Sequence, residues 1–161
     1  MAKEGKVYTN NILKTELENE RSSFLTHWKE LGDFFLPRRA RFDVTDTNKG
    51  GARHQKIIDS TGTLAGRTLR SGMMAGVTSP ARPWFRLSTD GKDSAEFNNT
   101  RSWLETVTRN MLSVFGKSNL YNILSITYGD LGNFGNGCIY QEEDLNKVTR
   151  FYSIPIGSYM I

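Results

Sequence analysis

Residues 60–83 constrain the fold more than any other stretch: small residues recur at helical spacing, and two prolines then end the helix. Gly62/Gly66 and Gly72/Gly76 form two small-xxx-small pairs, interleaved with Ala65, Leu69 and Met73. Residues four apart share one face of a helix. Each interior glycine costs about 1 kcal/mol relative to alanine, so the pattern predicts close backbone packing that offsets the loss. Asp59 or Ser60 can accept from the free amides of the first turn and so begin the helix. Pro80 and Pro83 enforce its stop, because proline lacks an amide donor and disfavours helix in the residue before it. The alternation in Trp84-Phe85-Arg86-Leu87-Ser88 predicts a short strand.

The flanking segments read as further helices and one hairpin. Leu13, Leu17, Phe24, Trp28, Leu31 and Phe35 mark one face of a helix over residues 10–35, which Pro37 ends. Residues 1–9 carry no such face and are expected to be a flexible N-terminus, followed by one region over residues 10–161. Residues 38–55 have no period and read as a long, mobile loop, of a length that compact domains use chiefly for function. A third helix is expected over residues 94–115, stopped by Gly116, and a fourth over residues 119–131. Gly132, Gly135 and Gly137 break the pattern before Cys138-Ile139-Tyr140-Gln141, which Asp144-Leu145-Asn146-Lys147 joins to residues 148–153 as a β-hairpin. The fold class is therefore α+β: long amphipathic helices with a small antiparallel sheet near the C-terminal end.

Composition removes several functions. At 161 residues with 37% hydrophobic and 24% charged content, the chain suffices for a real core but holds no stretch near the length of a bilayer span, so no membrane partner is expected. Its single cysteine excludes an internal disulfide framework. His27, His54 and Cys138 stand far apart, which predicts neither metal nor cofactor, and His27 reads as structural. Gly116-Lys117-Ser118 imitates the end of a phosphate-binding loop, but Met111 occupies the position where that loop needs glycine. No G-x-S-x-G is present, and Glu142, Glu143 and Asp144 read as solvated charges at a hairpin end. An enzyme is not expected.

Charge is where the chain becomes suggestive. Between Arg38 and Arg86 ten basic residues face three acidic ones, a local +7 within a chain whose net charge is +4. Such asymmetry points to an anionic neighbour, nucleic acid first among them. Arg38, Arg39, Arg41, Arg53 and Lys56 are the candidate phosphate contacts, since guanidinium groups hold phosphates without reading bases. The same residues also fit a second reading, in which they pair with acidic protein surfaces or solubilise a loop. Gly62, Gly66, Gly72, Gly76, Arg82, Trp84, Phe85 and Arg86 are candidates for a contact between subunits, where Trp and Arg serve as anchors. Burial of Trp84 within its own fold is the alternative.

The wording of several motifs adds a resemblance. Asp59-Ser60-Thr61-Gly62 and the run from Ser71-Gly72-Met73-Met74 to Pro83-Trp84-Phe85 resemble the portal, or head-to-tail connector, proteins of tailed bacteriophages, the short-tailed type especially. Trp103-Leu104-Glu105, Ser118-Asn119-Leu120-Tyr121, the stretch from Tyr128-Gly129-Asp130 to Asn136-Gly137, and Ile154-Pro155-Ile156-Gly157-Ser158-Tyr159 follow in the same order. The likeness spans residues 21–161. It implies a wing-like N-terminal region of a portal subunit, incomplete at its C-terminus because members of that family are several times longer. It further implies a homo-oligomeric ring, a dodecamer, at one capsid vertex of the virion, assembled in the host cytoplasm. Such a ring conducts double-stranded DNA during packaging and ejection, docks terminase and tail or adaptor proteins, and meets the major capsid protein. It has no catalysis of its own. A stand-alone nucleic-acid-binding adaptor is the alternative that the charge pattern leaves open.

Overall fold

The computed structural model describes residues 2–37, 39, 56–88 and 98–159, with side chains from residue 10 onward and, in the third helix, from residue 99. Among these the elements run α1 (Ala2–Phe35), α2 (Thr61–Val77), α3 (Asn98–Lys117), α4 (Leu120–Phe134), β1 (Cys138–Asp144) and β2 (Val148–Ile154). The strands pair as a two-stranded antiparallel hairpin, so the class is the α+β expected. Two compact units share these elements: Met1–Arg67, Asp130–Cys138 and Ile154–Ile161 form the first, and Thr68–Gly129 with Ile139–Ser153 the second. The loop expected over residues 38–55 lies, Arg39 apart, outside the described residues.

In the first unit, α1 extends back to Ala2, well before the apolar period begins at residue 10. Propagating an existing helix gains a hydrogen bond per residue and needs no buried stripe. Its C-terminal end is closed by the Leu36 amide, which donates to the Gly32 carbonyl at 3.0 Å before Pro37. Trp28, Phe134 and Ile156 form the core, with Leu25, Leu31 and Leu36 packed around them. Full burial of Phe134 and Ile156 contributes roughly 1.5–3 kcal/mol each. Phe24 stacks on Trp28 at 5.6 Å but stays 56% exposed, so the buried stripe is centred nearer Leu25 than the spacing indicates.

The α2 start is the one expected. Asp59 Oδ1 accepts from the Thr61 amide at 3.0 Å, and the Ser60 carbonyl takes the first intrahelical bond, from Leu64. No residue of α2 is buried.

In the second unit an aromatic cluster replaces the predicted strand. Residues 83–88 form no strand. Trp84 instead meets Phe85 edge-on at 4.8 Å and stacks on Phe115 at 6.5 Å, while Phe115 contacts Phe151 at 6.2 Å. The Trp84 indole donates to the Tyr121 hydroxyl at 3.3 Å, and the Leu87 amide donates to Thr108 Oγ1 at 3.3 Å. Alternation here records side chains anchored on helices, not a ladder.

Two glycine stops also differ from expectation. α3 passes through Gly116 to Lys117 because the break is organised by Ser118. Its hydroxyl donates to the Phe115 carbonyl at 2.8 Å and accepts from the Leu120 amide at 3.2 Å, serving both helix ends. α4 passes through Gly132 to Phe134 and ends at Gly135, whose φ of 78° supplies the left-handed cap.

The hairpin turn is built by Asp144, whose Oδ1 accepts from the Asn146 and Lys147 amides at 2.8 and 3.1 Å. Those bonds, more than nearby Arg150, hold its carboxyl below the usual range. Asn119 fastens the far strand: its side-chain amide donates to the Phe151 carbonyl at 2.7 Å and accepts from the Phe151 amide at 2.9 Å. A side chain thus stands in for a neighbouring strand at one register position.

Candidate functional site

Of the five candidate phosphate contacts, Arg38, Arg41 and Arg53 lie outside the described residues. Arg39 is engaged in the first unit. Its Nε and Nη2 hold both carboxylate oxygens of Asp130, with Nε to Oδ2 at 2.8 Å and Nη2 to Oδ2 at 2.5 Å. The Asp130 side chain is 1% exposed and that of Arg39 24%. A paired buried carboxylate cannot give up its only described cation without a large desolvation cost, so Arg39 is a structural arginine in this geometry. Lys56 differs. Its Nζ lies 2.6 Å from Asp33 Oδ2, with the two side chains 62% and 42% exposed. That hydrogen bond raises the lysine pKa, keeping it charged. Exposed pairs of this kind are weak and exchange readily with other ions, so Lys56 remains able to meet a phosphate.

The small-residue seam divides in two. A Cβ on Gly62 would come within 3.1 Å of the Phe35 ring, and one on Gly66 within 3.1 Å of Asn133 Oδ1. These two glycines are therefore used inside the first unit, by its own side chains. Gly72 and Gly76 have nothing within 4 Å of a built Cβ. On the same stretch of α2, Leu69 and Val77 are 49% and 60% exposed. The second half of the seam is an open, small and apolar surface of the second unit. On α4 of that unit Gly129 does admit a close approach, with the Arg70 stem 3.2 Å from its built Cβ.

Trp84 and Phe85 are half-buried in the aromatic cluster. Arg82 donates from Nη2 to the Gly76 carbonyl at 3.2 Å, closing the C-terminal end of α2. Arg86 pairs with Glu105 at 2.9 Å, both exposed, and Arg101 joins the same carboxylate at 3.4 Å. Thr78 ends α2 by sharing a 3.0 Å hydrogen bond with the Tyr128 hydroxyl. Trp103, quoted above only within a motif, stands 63% exposed on α3.

Sequence reasoning assigned no role to Asp130 or Asn119. The signal was present for the first: an aspartate inside the apolar run of α4 needs a cation, and arginines were plentiful. For Asn119 no local pattern identifies the strand it clamps. Among the described residues no group of three side chains could hold a metal ion, and no helix is long and apolar enough to cross a membrane.

Residues 11–161 match the model of a family described as bacteriophage head to tail connecting protein. The portal protein of Salmonella phage epsilon15 is 49% identical over 146 residues, which make up 91% of this chain and 26% of the relative. A probable portal protein of Bordetella phage BPP-1 is 47% identical over 146 residues, with the same shares of each chain covered. The chain thus spans about a quarter of the length of the curated relatives it matches.

Proposed function

Because the chain belongs to the family of bacteriophage head-to-tail connecting proteins, we propose that it forms part of a portal subunit, repeated as a ring at one capsid vertex. The ring conducts double-stranded DNA during packaging and ejection. It docks terminase while the head fills, then tail or adaptor proteins, against a collar of the major capsid protein. The observation that carries this reading is the match over residues 11–161 together with relatives named as portal proteins at 47–49% identity.

Physical features support it. A closed ring repeats one heterologous contact, so each copy must offer two different complementary faces. The open half of α2, with Gly72 and Gly76 flanked by Leu69 and Val77, is suited to receive a neighbouring helix at short interaxial distance. We assign the subunit contact to that half, since Gly62 and Gly66 already serve their own unit. Arg82, Trp84, Phe85 and Arg86 follow directly on that seam and shape its edge. Arg38, Arg41, Arg53 and Lys56 are assigned to loose phosphate contact, and Arg39 to fixing the start of the basic run through Asp130. A conduit has to bind duplex without gripping a sequence, which backbone-directed cations achieve.

The test is the mass of the full-length protein by light scattering, with particle images. A closed ring of many copies is expected, and Gly72→Leu with Gly76→Leu should leave the subunit folded but unassembled. A full-length protein that stays small at high concentration yet binds duplex with a steep salt dependence would instead establish a stand-alone adaptor.

A further inference from the structure

A ring in which α2 supplies one subunit contact requires a second, different face on the same subunit to receive it. The second unit holds an open groove of about 730 Å³ between α3 and the hairpin, with Val107, Met111 and Val114 on its helical wall and Glu142, Glu143 and Val148 on the hairpin side. Trp103, Val107, Met111 and Val114 follow at steps of four, four and three, so they share one face of α3. Trp103 therefore stands on the groove's face, one turn before Val107, and is 63% exposed. Val148 is 64% exposed and has a φ of 70°, a left-handed conformation that is strained for a β-branched residue. Glycine would make the same turn without strain. An exposed, strained valine beside the groove is thus not explained by the hairpin's own fold.

Shape, length and charge match this groove to the open half of α2. The groove offers large side chains, whereas a Cβ built on Gly72 or Gly76 meets nothing within 4 Å. Arg70 and Thr78 reach Gly129 and Tyr128 of α4. Gly72 and Gly76 stand two residues from them, about 200° around the helix, and so look away from α4. Trp103 to Val114 spans about 16 Å of helix, and Leu69 to Val77 about 12 Å. Glu142 and Glu143, both exposed, are the ionisable side chains lining the groove. Residues 60–89, by contrast, carry four arginines and no acidic residue. Of these, Arg82 is brought to the seam by its hydrogen bond to the Gly76 carbonyl. Arg150, in the same hairpin as the two glutamates, is engaged by Asp144 at 3.8 Å.

We propose that the α3–hairpin groove receives the open half of α2 from a second copy of this chain. Trp103, Val107, Met111 and Val148 pack on the flat surface at Gly72 and Gly76, and Arg82 meets the carboxylates of Glu142 and Glu143. Each copy uses its α2 on one neighbour and its groove on the other, the head-to-tail pattern that a closed ring repeats. The pairing rests on the ring reading and adds to it which two faces meet.

The experiment treats full-length rings carrying Gly76→Cys with Val107→Cys, in a Cys138→Ser background, with a short bismaleimide and reads the covalent products on a denaturing gel. The double variant should give a ladder rising in whole subunits, and neither single variant should. Rings co-assembled from the two single variants should give covalent dimers and nothing larger. Trp103→Ala and Val148→Gly should each raise the concentration needed for half-assembly at least about tenfold, although Val148→Gly should unfold at a higher temperature than the parent. Arg82→Glu should impair assembly, and Glu142→Arg with Glu143→Arg should restore it. Rings that form normally yet give no ladder, or whose assembly ignores both Trp103→Ala and Val148→Gly, would overturn the pairing and leave the ring reading standing. The groove's occupant would then be another part of its own subunit or another protein. A full-length protein that forms no ring would overturn the ring reading, and the pairing with it.

Discussion

Arg39 and Asp130 show how one residue's role changes with its partner. In sequence Arg39 is one of a cluster of cations, indistinguishable from Arg38 and Arg41. In the folded chain both donors of its side-on edge are taken by a carboxylate that is 1% exposed. Removing one partner of such a pair leaves an uncompensated buried charge, which costs about 3–5 kcal/mol. Because the Arg39 side chain keeps some contact with solvent, the lower end of that range applies. Arg39→Ala should therefore lower unfolding stability by about 3 kcal/mol in denaturant titrations. Lys56→Ala, which breaks an exposed pair, should leave it nearly unchanged. Equal and small effects from both would show that the Arg39–Asp130 pair is not the buried link described. Had basic residues alone been counted, the two would have ranked together; burial of the partner separates them, and burial is not written in local sequence.

Among the elements, α2 carries the sharpest division. Its cap followed from Asp59 and Ser60 and its stop before Pro80 from the two prolines, since capping and proline act on the backbone locally. The same locality explains what was missed. Alternation at Trp84–Ser88 looks identical whether the side chains meet another strand or the Phe115 and Tyr121 of helices, and only the latter is found. Gly116 and Gly132 resemble helix stops, yet Ser118 and Gly135 hold the bonds that end those helices. Within α2, two glycine pairs of the same four-residue spacing cannot be told apart by spacing, although one pair meets Phe35 and Asn133 and the other meets nothing. That difference has measurable consequences of opposite sign. Gly72→Ala and Gly76→Ala should each raise the thermal stability of the chain, by up to about 1 kcal/mol, because alanine is the better helix former in open space. Gly62→Ala and Gly66→Ala should gain less or lose, because the added methyl presses on a neighbour at 3.1 Å. If the open half is a subunit seam, the two stabilising changes should also reduce assembly in the full-length protein. Unaltered assembly would move the seam elsewhere.

At the scale of the whole molecule, the decisive property is how charge is distributed between a folded frame and the residues it presents. The chain concentrates +7 within residues 38–86 while the remainder is net negative. Arg39 is withdrawn from that total by Asp130, Arg82 closes a helix and Arg86 is paired, so the cations free for a polyanion are fewer than composition indicates. Each phosphate contact made by a protein on duplex DNA steepens the salt dependence of binding by about 0.9 in log–log slope. Replacing Arg38, Arg41, Arg53 and Lys56 together by glutamine in the full-length protein should therefore flatten that slope by up to about 3–4 and weaken binding to all sequences alike. Arg39→Gln, measured in the same way at a temperature where the variant is folded, should leave the slope unchanged, because its charge already belongs to Asp130. The contrast separates two kinds of basic residue that the sequence presents as one cluster. A slope unaffected by the quadruple replacement would assign those cations to acidic protein surfaces, and any contact with duplex would then have to rest on other groups.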